Sequence, residues 1–167
     1  INPDYADRVQ EVVDMALGTG MYVIVNIHYD NGWISKFPEN VDENMKRYTT
    51  MWKQIAELFR DRGDKLVFES QNEALGWESL CNRYSGTNGA EKQSSYDLVN
   101  RVNQAFVDTV RATGGNNAKR HLLISGYNTD IDLTCDKLFK MPSDPAGRLA
   151  VSVHYYNPST LTILEKD

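Results

Sequence analysis

The 167-residue chain has only two cysteines, Cys81 and Cys135. They lack the C-x-x-C spacing of a zinc or thiol-redox site; a disulfide between them and two unrelated free thiols both remain open. No apolar run approaches the roughly 18–20 residues that a membrane-spanning helix needs. Basic residues are in the minority, 18 Lys and Arg against 23 Asp and Glu for a net charge of −5, which argues against a nucleic-acid or anionic-membrane partner. Neither G-x-G-x-x-G nor G-x-x-x-x-G-K-[ST] occurs, and "GTG" at 18–20 follows a helix and precedes a strand, the reverse of the dinucleotide-binding order. "ISGYN" lacks the leading glycine of a serine nucleophile elbow, and "SGTNGAEK" reads as a solvated turn within a long loop. The chain opens on "INPDYADR" with neither a methionine nor a signal-peptide pattern, so a processed or truncated start is expected.

The remaining composition, 41% hydrophobic and 25% charged, suits one soluble domain with a real core. Over 4–18, Tyr5, Val9, Val12, Val13, Ala16 and Leu17 fall on one helical stripe, with Pro3 suited to the start and Gly18 and Gly20 to the end. "MYVIVNIHYD" follows as a continuous apolar strand. Residues 42–62 predict a second helix burying Met45, Tyr48, Met51, Trp52, Ile55, Leu58 and Phe59. "KLVFES" is a second strand. A loop then runs to about residue 93, and a helix over about 95–113 turns Val99, Val102, Phe106 and Val110 inward. "HLLISG" is a third strand, a short helix is expected over about 132–140, and "RLAVSVHYY" is a fourth strand. This alternation implies a parallel sheet flanked by helices, either open and doubly wound or part of a (β/α)8 barrel.

The period-two pattern separates these two. Val23, Val25 and Ile27 share one face; Ile24, Asn26 and His28 share the other. Val67 and Glu69 share a parity that continues to Gln71 and Glu73. Ser152, His154 and Tyr156 oppose Val151, Val153 and Tyr155. Three strands thus carry one apolar face and one that turns polar toward the C-terminal end. A barrel explains this: its outer face packs on helices and its inner face ends in a polar mouth. The fold class is therefore α/β, a partial (β/α)8 TIM barrel of about strands 3 to 6.

The polar mouth offers candidates. Glu73 follows a strand end beside Asn72 and ahead of Trp77, and suits a general acid whose pKa is raised by partial burial beside neighbouring acids; a solvent-exposed loop glutamate is the other reading. His28 and His154 end two strands on the inner face, where they could tune a carboxylate, touch substrate hydroxyls or simply be satisfied core histidines. A metal site from His28, Asp30 and His154 is the weaker alternative, and His121, at the opposite end of its strand, reads as structural. Glu69 points inward and needs a donor, with no obvious partner in the chain. Trp33, Trp77, Tyr29 and Tyr156 could stack on sugar C–H faces or serve in packing.

Together, "VIVNIHYDNGW", "LVFESQNEA", "HLLISGYNTD" and "LAVSVHYYNP" resemble glycoside hydrolase family 5, the cellulase family of retaining (β/α)8 endo-β-1,4-glucanases. The resemblance spans essentially the whole chain. It implies that Glu73 is the acid/base and that Asn72 bonds the sugar 2-hydroxyl. His28 would end the third barrel strand. His154 and Tyr156 would form the H-x-Y of the sixth, with Tyr156 near the nucleophile, and Trp33 looks like a substrate-facing loop aromatic. It further implies a β-glucan substrate, secretion, and neither metal nor cofactor; xyloglucanase, mannanase and xylanase are alternatives within the family. A non-catalytic carbohydrate-binding module is the rival from another class. The chain departs from the family pattern in having Tyr29 where a second histidine often follows His28. The nucleophile glutamate belongs on a seventh strand expected beyond residue 167, since Glu165 stands in the wrong context. The first two strands, with the arginine on the second that would pair Glu69, are also expected to lie outside. Residues 1–167 are accordingly expected to be one incomplete catalytic domain, inactive alone.

Overall fold

The computed structural model describes residues 1–28, 32–34, 36–73 and 89–163. Helix α1 (Pro3–Gly18) begins where the Asn2 side chain accepts from the amides of Asp4 and Tyr5 with proline in the first turn. Strand β1 (Val23–Asn26) follows. Helix α2 (Val41–Leu58) starts at Asn40, whose side chain accepts from Glu43 N and donates to the Glu43 carboxylate, a reciprocal cap. Then come β2 (Leu66–Glu69), α3 (Gly89–Ala112), β3 (Leu122–Asp130), the one-turn α4 (Ile131–Thr134), β4 (Leu149–His154) and the one-turn α5 (Ser159–Thr162).

The four strands pair in parallel in the order β1-β2-β3-β4. Consecutive strands lie side by side and the order never reverses, so among the described residues there is no switch point of the doubly wound kind. The sheet also curves. Ser152 Oγ on β4 donates to Glu69 Oε1 on β2 at 2.5 Å, although β3 lies between them. In a flat sheet those backbones would stand two strand spacings apart, ~9.5 Å. Strand side chains stand roughly perpendicular to their sheet, so a bond across the intervening strand forms where that face is concave. This is part of a (β/α)8 barrel, with Glu69 inside it.

The convex face carries the core. Tyr48, Trp52 and Ala56 repeat every four residues on α2 and are fully buried, as are Val99, Val102, Phe106 and Val110 on α3. Trp52 meets Phe68 of β2 and Phe106 of α3 with ring centroids 5.7 and 4.6 Å apart. Two departures from the sequence-based expectation stand out. Helix α3 begins at Gly89, within the stretch read as loop, and the expected helix over 132–140 shrinks to four residues. On α1 only Val13 is buried; Tyr5 and Val12 are exposed because β1, which α1 faces, is an edge strand of this sheet.

At the N-terminal end of the strands Arg120, 1% exposed, gathers the chain. Its guanidinium donates to the carbonyls of Phe59, Arg62, Gly63 and Leu66 and to Asn117 Oδ1. The Phe68 ring lies 4.8 Å away. Burial lowers its pKa to about 10, against the opposing pull of Asp64. Phe59 to Gly63 follow the C-terminus of α2, where a cation is favoured. At the next turn Gly115 has φ 57°, and a Cβ there would fall 2.7 Å from Arg60 Cγ, so a side chain would be strained and would displace Arg60. The loop into β4 is pinned by Asp144, which takes Arg111 through two bonds of 2.8 and 3.0 Å and accepts from the amides of Ala146 and Arg148.

Replacing Arg120 with methionine strands these acceptors. Urea unfolding should show a loss of about 2–4 kcal/mol with an unchanged m-value; a smaller loss would mean that the carbonyls find other donors. The hydrogen bonds from Arg111 hold the Asp144 pKa down to about 2, against burial. A carboxyl whose pKa is depressed in the fold stabilises it above the unfolded value and loses that contribution as pH falls through the folded one. Stability should therefore fall by about 2 kcal/mol between about pH 5 and pH 2 on this account. The same acid titration of Asp144→Asn should lack that component.

Candidate active site

The site begins at Ser70, the first residue past β2. Its carbonyl accepts from Tyr48 Oη at 2.8 Å and Trp52 Nε1 at 3.1 Å, both on α2. Its hydroxyl donates to Asn103 Oδ1 of α3 and accepts from Ser125 N of β3, and its amide donates to Leu123 O. Glu69, one residue earlier and 7% exposed, faces the concave side. Its carboxylate takes Asn26 Nδ2 of β1 at 2.7 Å on one oxygen and Ser152 Oγ of β4 on the other. This corrects the expectation that the chain holds no partner for Glu69. Both donors are polar residues of the inner parity, and curvature alone brings the distant one within reach.

Three residues on, Glu73 sits half-buried at the C-terminal rim. Its Oε1 accepts from Tyr156 Oη at 2.7 Å and lies 2.7 Å from His154 Nδ1. The His154 and Tyr156 rings meet edge-on, 6.0 Å apart. Burial pushes the Glu73 pKa up. Hydrogen bonds from Tyr156 and His154, with the charges of His154 and His28 when protonated, more than offset this and hold it below the ordinary glutamate value. The direction is opposite to that expected from neighbouring acids, because the nearest groups are donors and cations. The Tyr156 hydroxyl is pushed up by the same bond.

A cavity of about 510 Å³ opens beside Glu73, lined among others by Asn128, Thr129, Asp130, His154 and Tyr156. His28, two residues past the end of β1, is exposed and does not line this cavity. Asn72 is half-buried, and its amide donates to Ile27 O at 3.4 Å, continuing the β1–β2 pairing. Trp33 is 9% exposed, packed against Phe37 at 6.3 Å with Arg47 4.5 Å over its ring. His121, at the N-terminal end of β3, is exposed. Tyr29, Asp30, Trp77, Cys81 and Glu165 lie outside the described residues; Cys135 is exposed and free. Among the described residues no three His, Cys, Asp or Glu side chains converge as metal ligands.

Sequence reasoning missed Asn128, Thr129 and Asp130. It ended the third strand at Gly126, whereas β3 runs to Asp130. The signal was available: a glycine inside a strand pattern marks a bulge or close approach, and a Cβ on Gly126 would fall 2.3 Å from Thr134 Oγ1.

A curved parallel sheet with a carboxylate held at its C-terminal rim places that carboxylate where (β/α)8 barrels carry their active sites. Residues 1–166 match the sequence profile of Cellulase (glycosyl hydrolase family 5), and the chain belongs to that family. It is 40% identical over 173 residues to a xyloglucan-specific endo-β-1,4-glucanase of Bacteroides ovatus, covering 100% of this chain and 32% of that protein. It is 36% identical to endoglucanase A of Paenibacillus barcinonensis, covering 95% of this chain and 41% of that one. Among solved structures it resembles a family 5 xyloglucan-specific endo-β-1,4-glucanase from a metagenomic library, in complex with cellotriose. The TM-score is 0.83 at 39% identity, over 96% of this chain and 46% of that one. The chain thus spans about a third to two-fifths of the length of these two curated relatives.

Replacing Tyr156 with phenylalanine removes one donor from Glu73. A carboxyl-carbon NMR titration should then find the Glu73 pKa higher than in the unmodified protein; an unchanged or lower value would assign the depression to the histidines alone.

Proposed function

We propose that this chain forms part of a retaining endo-β-1,4-glucanase that cleaves internal bonds of a β-glucan. The observation that carries this is Glu73 at the rim of the curved sheet, hydrogen-bonded by the two residues of the H-x-Y pair. In the first step Glu73 gives its proton to the leaving oxygen. In the second it takes a proton from water. A carboxylate outside the described residues, about 5–5.5 Å from Glu73, acts as nucleophile.

The depressed pKa of Glu73 suits the second step. The first needs a protonated carboxyl, and an ionised nucleophile nearby favours that by like-charge repulsion. Formation of the glycosyl-enzyme removes that charge and returns Glu73 to the state that its donors favour. In this reading Asn72 and His28 contact the sugar beside Glu73, and Trp33 supports the loop that faces it. No step needs a metal or cofactor. Residues 1–167 belong to one catalytic domain, and a polymeric substrate places the enzyme outside the cell.

Xyloglucan is a second candidate substrate, supported by the 40% identity to a xyloglucan-specific relative over the whole chain. Glu73→Gln in the full-length protein should reduce hydrolysis of β-glucan and xyloglucan by about 10²–10⁴-fold while cellotriose binding persists. Unchanged hydrolysis rules out Glu73 as the acid/base. A protein that binds these glucans but never cleaves them is instead a carbohydrate-binding module.

A further inference from the structure

We propose that Asn128 is a carbohydrate-contacting residue whose side-chain oxygen accepts a hydroxyl of the glucan chain lying beside Glu73. The inference rests on the glycoside-hydrolase reading above and extends it to a residue on β3.

The β3–β4 ladder is regular from Leu122 to Ser125 and then slips. Ser125 pairs with Ser152, and the next pair is Asp130 with His154. Between these pairs β3 spends four residues, 126 to 129, where β4 spends only Val153. Bulges of this kind bend a strand and re-aim its side chains, often beside active sites. Here the distortion is sharp: Asn128 has φ 51° and Thr129 φ 49°. Asparagine tolerates the left-handed region, but a β-branched threonine there is a strained outlier.

The neighbours of Asn128 have evident structural tasks. Tyr127 is buried and stacks on Tyr96 at 4.2 Å. Asp130 caps α4, accepting from the amides of Asp132 and Leu133. Gly126 makes room for Thr134. The Asn128 side chain has no comparable task. The residue is 8% exposed, and its Oδ1 is buried without a hydrogen-bond partner among the described residues. A buried, unpaired amide oxygen is unfavourable. Asn128 lines the cavity that also holds Glu73, His154 and Tyr156. The terminal torsion of asparagine is broad, so rotation about it presents this oxygen to a sugar hydroxyl in that cavity. The strained backbone at Thr129 and the unpaired acceptor on Asn128 beside it both line the cavity of the proposed acid/base, and they are accounted for together if the missing donor is the substrate.

The test uses the full-length protein with Glu73→Gln, so that cellotetraose is bound and not cleaved, and measures affinity by calorimetry alongside the thermal midpoint. Asn128→Gly removes the acceptor and accommodates the positive φ. It should weaken cellotetraose binding by about tenfold and leave the midpoint unchanged or raised. Asn128→Asp keeps an acceptor and should bind within about twofold of the Glu73→Gln parent. Binding unchanged in Asn128→Gly overturns the assignment while leaving the glucanase reading intact. Weaker binding in both variants with a lowered midpoint also overturns it, in favour of a purely structural role. Absence of cellotetraose binding in both the unmodified protein and the Glu73→Gln parent overturns the glucanase reading and this inference with it.

Discussion

The peptide at residues 69–70 is tied on both faces of the sheet, and the position of the site follows from that. On the convex side Ser70 takes bonds from Tyr48, Trp52 and Ser125 and gives one to Asn103, which joins two helices and the neighbouring strand. On the concave side Glu69 takes bonds from Asn26 and Ser152, which joins the two outer strands. A buried carboxylate with one donor per oxygen avoids the penalty of an unpaired charge. A carbonyl with two buried donors cannot shift without orphaning both. The backbone leaving β2 therefore departs in one direction, and Glu73 arrives at the rim within reach of β4.

Curvature links this anchor to chemistry. The bond from Ser152 to Glu69 crosses β3, and the bonds from His154 and Tyr156 to Glu73 repeat that crossing one layer higher. Polar residues at alternate positions along β4 and just past its end thus serve two carboxylates, Glu69 on β2 and Glu73 four residues further on. The lower one is buried and structural; the upper one is half-open and borders a cavity. The same strand pairing, read along the barrel axis, grades from a sealed hydrogen-bond layer into a site that a substrate can enter.

Much of this was legible in the residues. The alternation of helices and strands, the apolar faces of α2 and α3, and the inner parity of Asn26, Glu69, Ser152 and His154 all follow from period 3.6 and period 2. Glu73 after Asn72 at a strand end marked the rim, and the family resemblance followed from that stretch together with three others, the later H-x-Y among them. Less visible were the start of α3 at Gly89, the slip after Ser125 and the left-handed pair Asn128–Thr129. The last two depend on what neighbouring elements require. Thr134 needs the space at Gly126, and β4 sets how much of β3 is surplus.

The sequence by itself determined which side chains point into the barrel, because the direction of a strand side chain is a local property repeated every second residue. Only the tertiary structure decided which of them meet. Glu69 finds Ser152 across 83 residues, and Glu73 finds His154 across 81. The sign of the Glu73 pKa shift turns on that meeting. Electrostatic and hydrogen-bond energies depend on distances of a few ångströms between remote segments, and those distances are set by the bend of the sheet.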